Sequence, residues 1–203
     1  MNAIVLAGGD SSRMGFDKTF IKVEGLTLIE RQIKLLYSLF EKIIVVTNNR
    51  RKSRSLYEIA DKNRFKNIEI IQDISLGQGP LGGIYSGLIA SDFFYNFVVA
   101  CDMPYIDTGL IEYMYKKSSG YDAVIPRLNK RYEPLYSFYS KNCLKFIGRL
   151  LDKKMFKINK LFSEIRVKEI TSEEIGQFAF GARIFTNINT KEDLANMYAD
   201  RQI

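Results

Sequence analysis

The sequence predicts an α/β fold: a mostly parallel sheet with helices on both faces. Two observations carry this. Short apolar runs alternate with stretches of helical periodicity along the chain, and the runs are apolar at nearly every position, as strands buried on both faces require. A third observation sets the organisation. At 203 residues, with no linker-like stretch, internal repeat or low-complexity segment, the chain reads as a single domain over 1–203.

The elements follow in order. Residues 3–7 (AIVLA) are a buried strand that runs into glycines. Thr27 and Glu30 form a capping-box pattern, and Ile29, Ile33, Leu36 and Phe40 then lie on one helix face. The β-branched run 42–47 (KIIVVT) reads as the second strand, 68–72 as the third and 97–101 as the fourth. Helices are expected near 53–62, 80–91 and 107–118. In the second half, 121–126 and 135–139 read as strands and 141–151 as a helix. Thr190 and Asp193 form a further capping pattern, opening a last helix to about 201. Ligands of open parallel sheets sit beyond the carboxyl ends of the strands. The segments after Ala7, Thr47, Gln72 and Cys101 are therefore where a site is expected.

Composition narrows the chemistry. There is no histidine, which excludes serine–histidine triads, His-ligated zinc and imidazole acid–base catalysis. The two cysteines, Cys101 and Cys143, are too few for a disulfide framework and suit a reducing, cytoplasmic location. Any catalytic metal is expected to be a hard ion on carboxylates, which points to magnesium. No apolar run approaches the length of a membrane span, and no basic segment precedes an apolar core at the N-terminus, so neither a membrane nor a secretory signal is expected. The net charge of +7 suits anionic ligands. The densest basic stretch, 48–54 (NNRRKSR), is short and lacks interleaved aromatics, which argues against nucleic acid.

Three motifs lie at strand ends. The first, 6–18 (LAGGDSSRMGFDK), combines a glycine pair, whose backbone can approach and cradle phosphate oxygens, with the cations Arg13 and Lys18. It is neither a P-loop nor a dinucleotide fingerprint. The second, 101–104 (CDMP), puts Asp102 where a carboxylate can hold a metal that bridges phosphates; the plainer alternative is a turn-capping Asp. Cys101 beside it reads as a small packing residue. The third, 77–84 (GQGPLGGI), is glycine-rich and precedes a helix, so it either admits a ligand against a helix N-terminus or is a loop. Asp73 just before it is a hydrogen-bond acceptor or a turn residue.

LAGGDSSRMGFDK resembles the signature of the molybdenum cofactor guanylyltransferases, the MobA family. Asp73, GPLGGI at 79–84, CDMP at 101–104, EPL at 133–135 and TNINT at 186–190 fit in order over nearly the whole chain. The resemblance implies a Rossmann-like three-layer domain of the nucleotide-diphospho-sugar transferase type. It implies transfer of GMP from GTP to molybdenum–molybdopterin with magnesium as cofactor. By position, Leu6, Ala7 and Gly8 would contact GTP, Lys18 its phosphates and Asp73 its guanine or ribose, while Asp102 would bind magnesium. Arg13, Lys18 and Asp102 would be catalytic, and Asn187 and Asn189 would face the pterin. The N-terminal half would bind GTP and the C-terminal half, with its basic stretch 126–131, the pterin. Which of Thr47, Asn48 and Asn49 touches the nucleotide is open. Molybdopterin-insertion and molybdoenzyme chaperone proteins are the implied partners. The alternatives kept open are a relative using CTP or a sugar-phosphate acceptor, a non-catalytic nucleotide-binding adaptor, and an RNA-binding domain.

Overall fold

The computed structural model describes residues 1–8, 18–23, 25–75, 77–188 and 193. Its strands are β1 (Asn2–Leu6), β2 (Lys22–Val23), β3 (Leu26–Thr27), β4 (Lys42–Thr47), β5 (Ile68–Gln72), β6 (Tyr95–Ala100), β7 (Ala123–Leu128), β8 (Arg131–Tyr132), β9 (Tyr136–Ser140) and β10 (Val167–Thr171). Its helices are α1 (Leu28–Tyr37), α2 (Arg50–Lys62), α3 (Gly79–Ala90), α4 (Thr108–Lys116), α5 (Cys143–Asp152) and the short α6 (Ser172–Ile175).

The main sheet runs β10-β7-β9-β6-β1-β4-β5, with β8 added to β7. Neighbours β6-β1-β4-β5 are all parallel, as is the pair β7-β10. Strand β9 runs antiparallel to both β6 and β7, so the sheet is mostly parallel rather than wholly so. The carboxyl ends of β1, β4, β5, β6 and β7 thus lie along one edge.

Side-chain alternation builds two cores from this one sheet. Ala3, Val5, Ile43, Val45, Phe97 and Val99 pack with Ile29, Ile33, Leu56, Leu110 and Met114, so α1, α2 and α4 cover one face. Ile4, Ile44, Val46 and Val98 pack with Leu81, Ile84, Leu88 and Ile147, so α3 and α5 cover the other. Helix α3 comes exceptionally close: a Cβ on Gly87 would lie 2.5 Å from Ile4 Cγ2. Only glycine permits that approach.

Local signals set the element ends. The Thr27 hydroxyl accepts from Glu30 N at 3.2 Å, and the Glu30 carboxylate accepts from Thr27 N at 2.8 Å, closing the expected capping box. Burial pushes the Glu30 carboxyl up, but these donors, with Asn63 and Lys62, outweigh it and hold it below the usual range. Asn49 and Asp107 cap α2 and α4 by accepting from Lys52 N at 2.8 Å and Leu110 N at 3.0 Å. Asn129 and Lys130 both take positive φ (46° and 67°), which suits the tight turn joining β7 to β8.

Most expected elements are present, with ends shifted by a few residues. The fourth strand covers 95–100 rather than 97–101, and Cys101 already lies in the turn beyond it. Sequence reading missed the β2–β3 hairpin, β8, β10 and α6. The Thr190–Asp193 pattern and its helix lie outside the described residues, apart from Asp193 itself. Among the described residues, no helix is long and apolar enough to cross a membrane.

Candidate active site

The carboxyl ends of β1, β4 and β6 open onto one cavity of about 610 Å³. Leu6 and Ala100, the last residues of β1 and β6, line it with Val46, the last but one of β4. Gly8 and Asn48 form one wall, and Gly77, Gly79, Pro80 and Gly83 form another, where α3 begins. Cys101, Asp102, Leu135 and Asn187 close the remaining side. The ladder hydrogen bonds continue to the rim: Ala7 N donates to Val46 O at 2.8 Å, Asp73 N to Thr47 O at 2.8 Å and Cys101 N to Leu6 O at 3.1 Å. The segments that leave the strands therefore start from fixed positions.

The glycine-rich turn before α3 is built for close approach. Gly77 and Gly79 take φ of +78° and +65°, a region that disfavours side chains. Pro80 occupies the first turn of α3, where its missing N–H costs nothing. Asp73 at the end of β5 is held by its own Oδ1, which accepts from Ser75 N at 2.8 Å and from the Ser86 hydroxyl at 2.6 Å. The two readings of Asp73 are thus not exclusive. One oxygen makes the turn, and the other lies 4.0 Å from where a Gly83 Cβ would sit, beside the cavity.

Asp102 sits in the turn after β6, half-buried and lining the cavity. Gln32 of α1, 2% exposed, holds that turn from behind. Its Nε2 donates to Ala100 O at 2.9 Å and Met103 O at 3.2 Å. The late segment is brought to the same place: Ile188 N donates to Asp102 O at 2.9 Å, and Ile188 is fully buried against Leu28 and Tyr105. Exposed Asn187 is thereby set on the rim beside Asp102. Residues from both halves of the chain thus line one cavity.

Thr47, Asn48 and Asn49 are placed differently with respect to the cavity. Thr47 is fully buried, and the Asn49 side chain caps α2. Asn48 lines the cavity, donating from Nδ2 to Gly8 O at 2.6 Å. Its Oδ1 is buried and has no partner among the described residues. Cys101 does more than pack, because it also lines the cavity, with its Sγ 3.6 Å from Thr19 Oγ1. Cys143 is remote and inert: burial pushes its thiol up to about 12.

In the basic stretch, the Arg127 guanidinium is engaged by the Glu169 carboxylate, at 2.8 Å to each oxygen, and Tyr132 donates to the same carboxylate. Its charge therefore serves the β7–β10 edge. Ala7 is fully buried. Its carbonyl accepts from Lys52 Nζ at 3.1 Å, and its neighbours Leu6 and Gly8, rather than Ala7 itself, line the cavity. Arg13 and Asn189 lie outside the described residues, as does the side chain of Lys18, which opens a 3-10 turn (Lys18–Phe20).

Four side chains outside the three motifs brace the site: Asn48, Gln32, Lys52 and Ser86. Ser86 was legible in principle, as a hydroxyl within the apolar run GPLGGIYSGLIA.

A metal ion would find a limited donor set. Among the described residues, no three His, Cys, Asp or Glu side chains come together. One carboxylate on the lining of this cavity, Asp102, fits magnesium, which keeps several waters and binds through one or two carboxylates plus substrate phosphates.

Comparison with known proteins agrees with this geometry. The sequence profile of the MobA-like NTP transferase domain matches residues 3–167. A probable molybdenum cofactor guanylyltransferase of Peptoclostridium acidaminophilum is 36% identical over 200 residues, covering 95% of this chain and 86% of its own. A second protein of that name, from Methanosarcina mazei, is 35% identical over 97% of this chain and 89% of its own. Among solved structures, the molybdopterin-guanine dinucleotide biosynthesis protein A of Archaeoglobus fulgidus superposes with a TM-score of 0.83 at 28% identity, over 100% of both chains. The profile spans most of the chain and these relatives exceed 30% identity over nearly all of it, so the chain belongs to the MobA-like NTP transferase family.

Proposed function

We propose that this enzyme transfers GMP from GTP to molybdenum–molybdopterin, forming the guanine dinucleotide cofactor and pyrophosphate. The observation that carries the reading is the convergence of Gly8, the α3 glycine turn, Asp102 and Asn187 on one cavity. A terminal phosphate oxygen of the pterin attacks the α-phosphorus of GTP. The bond from that phosphorus to the β-phosphate oxygen breaks, and pyrophosphate leaves with the electron pair. The nucleophile is already ionised at neutral pH, so the work is alignment and charge stabilisation, and the lack of histidine costs nothing.

The residues divide that work by position. The backbone of Leu6, Ala7 and Gly8 and the N-terminus of α3 cradle the nucleotide. Arg13 and Lys18 neutralise its phosphates, and the free oxygen of Asp73 reads the guanine. Asp102 holds magnesium, which when bound screens the triphosphate and supports the leaving pyrophosphate. Asn187 and Asn189 contact the pterin. The free thiols of Cys101 and Cys143 suit a cytoplasmic enzyme.

The test is purified protein with magnesium, molybdenum–molybdopterin and each of the four nucleoside triphosphates in turn. Pyrophosphate release with GTP, and clear thermal protection by GTP over CTP, is the expected result. A carboxylate accepts the paired N1–H and N2–H donors of guanine, which cytosine does not present. Equal protection by CTP and GTP would remove the guanine assignment.

A further inference from the structure

Lys52 is 6% exposed, an unusual place for an ammonium group. It stands in the first turn of α2 behind Arg50 and Arg51, a turn that contains no acidic residue. A cation there opposes the helix dipole, and burying it gives up hydration. Its backbone is locked by the Asn49 cap at 2.8 Å, and its Nζ reaches back to the Ala7 carbonyl at 3.1 Å. One residue on, Asn48 Nδ2 takes the Gly8 carbonyl at 2.6 Å. Two successive carbonyls at the start of the glycine loop are thus drawn toward the β4–α2 segment. In a trans peptide the next N–H points the opposite way, so Gly8 N–H is turned away from Lys52.

We infer that Lys52, together with Asn48, is a positioning residue for the nucleotide. It orients the first peptides of the loop so that their N–H groups face the bound polyphosphate, and it adds a fixed positive charge beneath that anion. This rests on the nucleotide-binding reading of the cavity. It does not depend on which base is bound.

The test uses the full chain as wild type, Lys52→Met, Lys52→Arg and Asn48→Ala, with the nucleotide that wild type turns over. If wild type prefers a triphosphate other than GTP, the guanine reading fails while this comparison stands. Lys52→Met keeps the unbranched shape, one atom shorter, and removes the charge. Its KM for the nucleotide is expected to rise at least ten-fold, with the KM for the pterin within two-fold of wild type. Lys52→Arg is expected to recover most of the loss. Asn48→Ala is expected to raise the nucleotide KM several-fold with the same selectivity, which keeps the inference testable if Lys52→Met does not fold. An unchanged nucleotide KM in either folded variant, or equal rises in both KM values, overturns it.

Discussion

The tether on Asp73 can be tested by removing a single oxygen. Ser86 is 2% exposed on α3. Its hydroxyl lies 2.6 Å from Asp73 Oδ1 and 3.0 Å from Gly82 O, and accepts from Ile74 N at 3.0 Å. A serine has one proton to give, and the shorter contact to the ionised acceptor takes it. Ser86→Ala therefore removes one charge-assisted hydrogen bond, worth roughly 1.5–3 kcal/mol. It also leaves Ile74 N–H unpartnered, but Ile74 is 65% exposed and water can replace that bond. The expected loss is about 2 kcal/mol, mainly from the Asp73 contact. For a chain of this size that is about 4–8 °C in Tm by calorimetry. Asp73 keeps only the Ser75 amide at 2.8 Å, so its carboxylate is free to turn. Discrimination between GTP and CTP, measured as a ratio of Kd values, is expected to fall several-fold. An unchanged Tm together with an unchanged ratio would refute the tether; a fall in Tm alone would leave Asp73 a turn residue.

Three further outcomes follow from the same geometry. Asp102→Asn keeps the shape and removes the hard-ion charge, so magnesium-dependent turnover should drop on the order of 10²–10⁴-fold with little change in Tm; wild-type turnover at saturating magnesium would reject the metal role. Asn187→Ala should raise the KM for molybdopterin and leave the Kd for GTP alone; the reverse pattern in steady-state kinetics and calorimetry would mean the two ends of the cavity are assigned the wrong way round. At the far end of β7, burial pushes the Asp122 carboxyl up, but the Arg166 amide at 3.0 Å, Asn142 at 3.0 Å and the Arg166 guanidinium outweigh it and hold it below the usual range. A depressed folded pKa means stability that is present above about pH 4 and lost as the pH falls through the folded value. Asp122→Asn should therefore cost about 1–3 kcal/mol at pH 7 and flatten acid unfolding below pH 4; an equally steep acid transition in urea titrations at stepped pH would contradict this.

What the sequence determined by itself was local and periodic. The run 42–47 is a strand with the expected ends, because a strand covered on both faces must be apolar at nearly every position; 68–72 also keeps its expected ends, although as the edge strand it buries only Ile70. Thr27 and Glu30 close their capping box within one turn of helix. The glycines and Asp102 were legible as a site because chain exits at strand ends lie where such sheets bind ligands. Tertiary structure alone decided the rest. Lys52 sits in a run of cations that reads as a solvated helix face, and only the tertiary placement of the start of α2 beside the Ala7 carbonyl buries it. Gln32 lies 68 positions before the carbonyl it holds, and Ile188 lies 86 after the one it meets, so no spacing reveals either contact. Strand β10 is an edge strand with one fully buried side chain, too weakly patterned to stand out until β7 pairs with it. Which of Thr47, Asn48 and Asn49 lines the cavity is a matter of one residue of register. It is decided by where β4 ends, which burial and the α2 cap fix together and the sequence pattern does not.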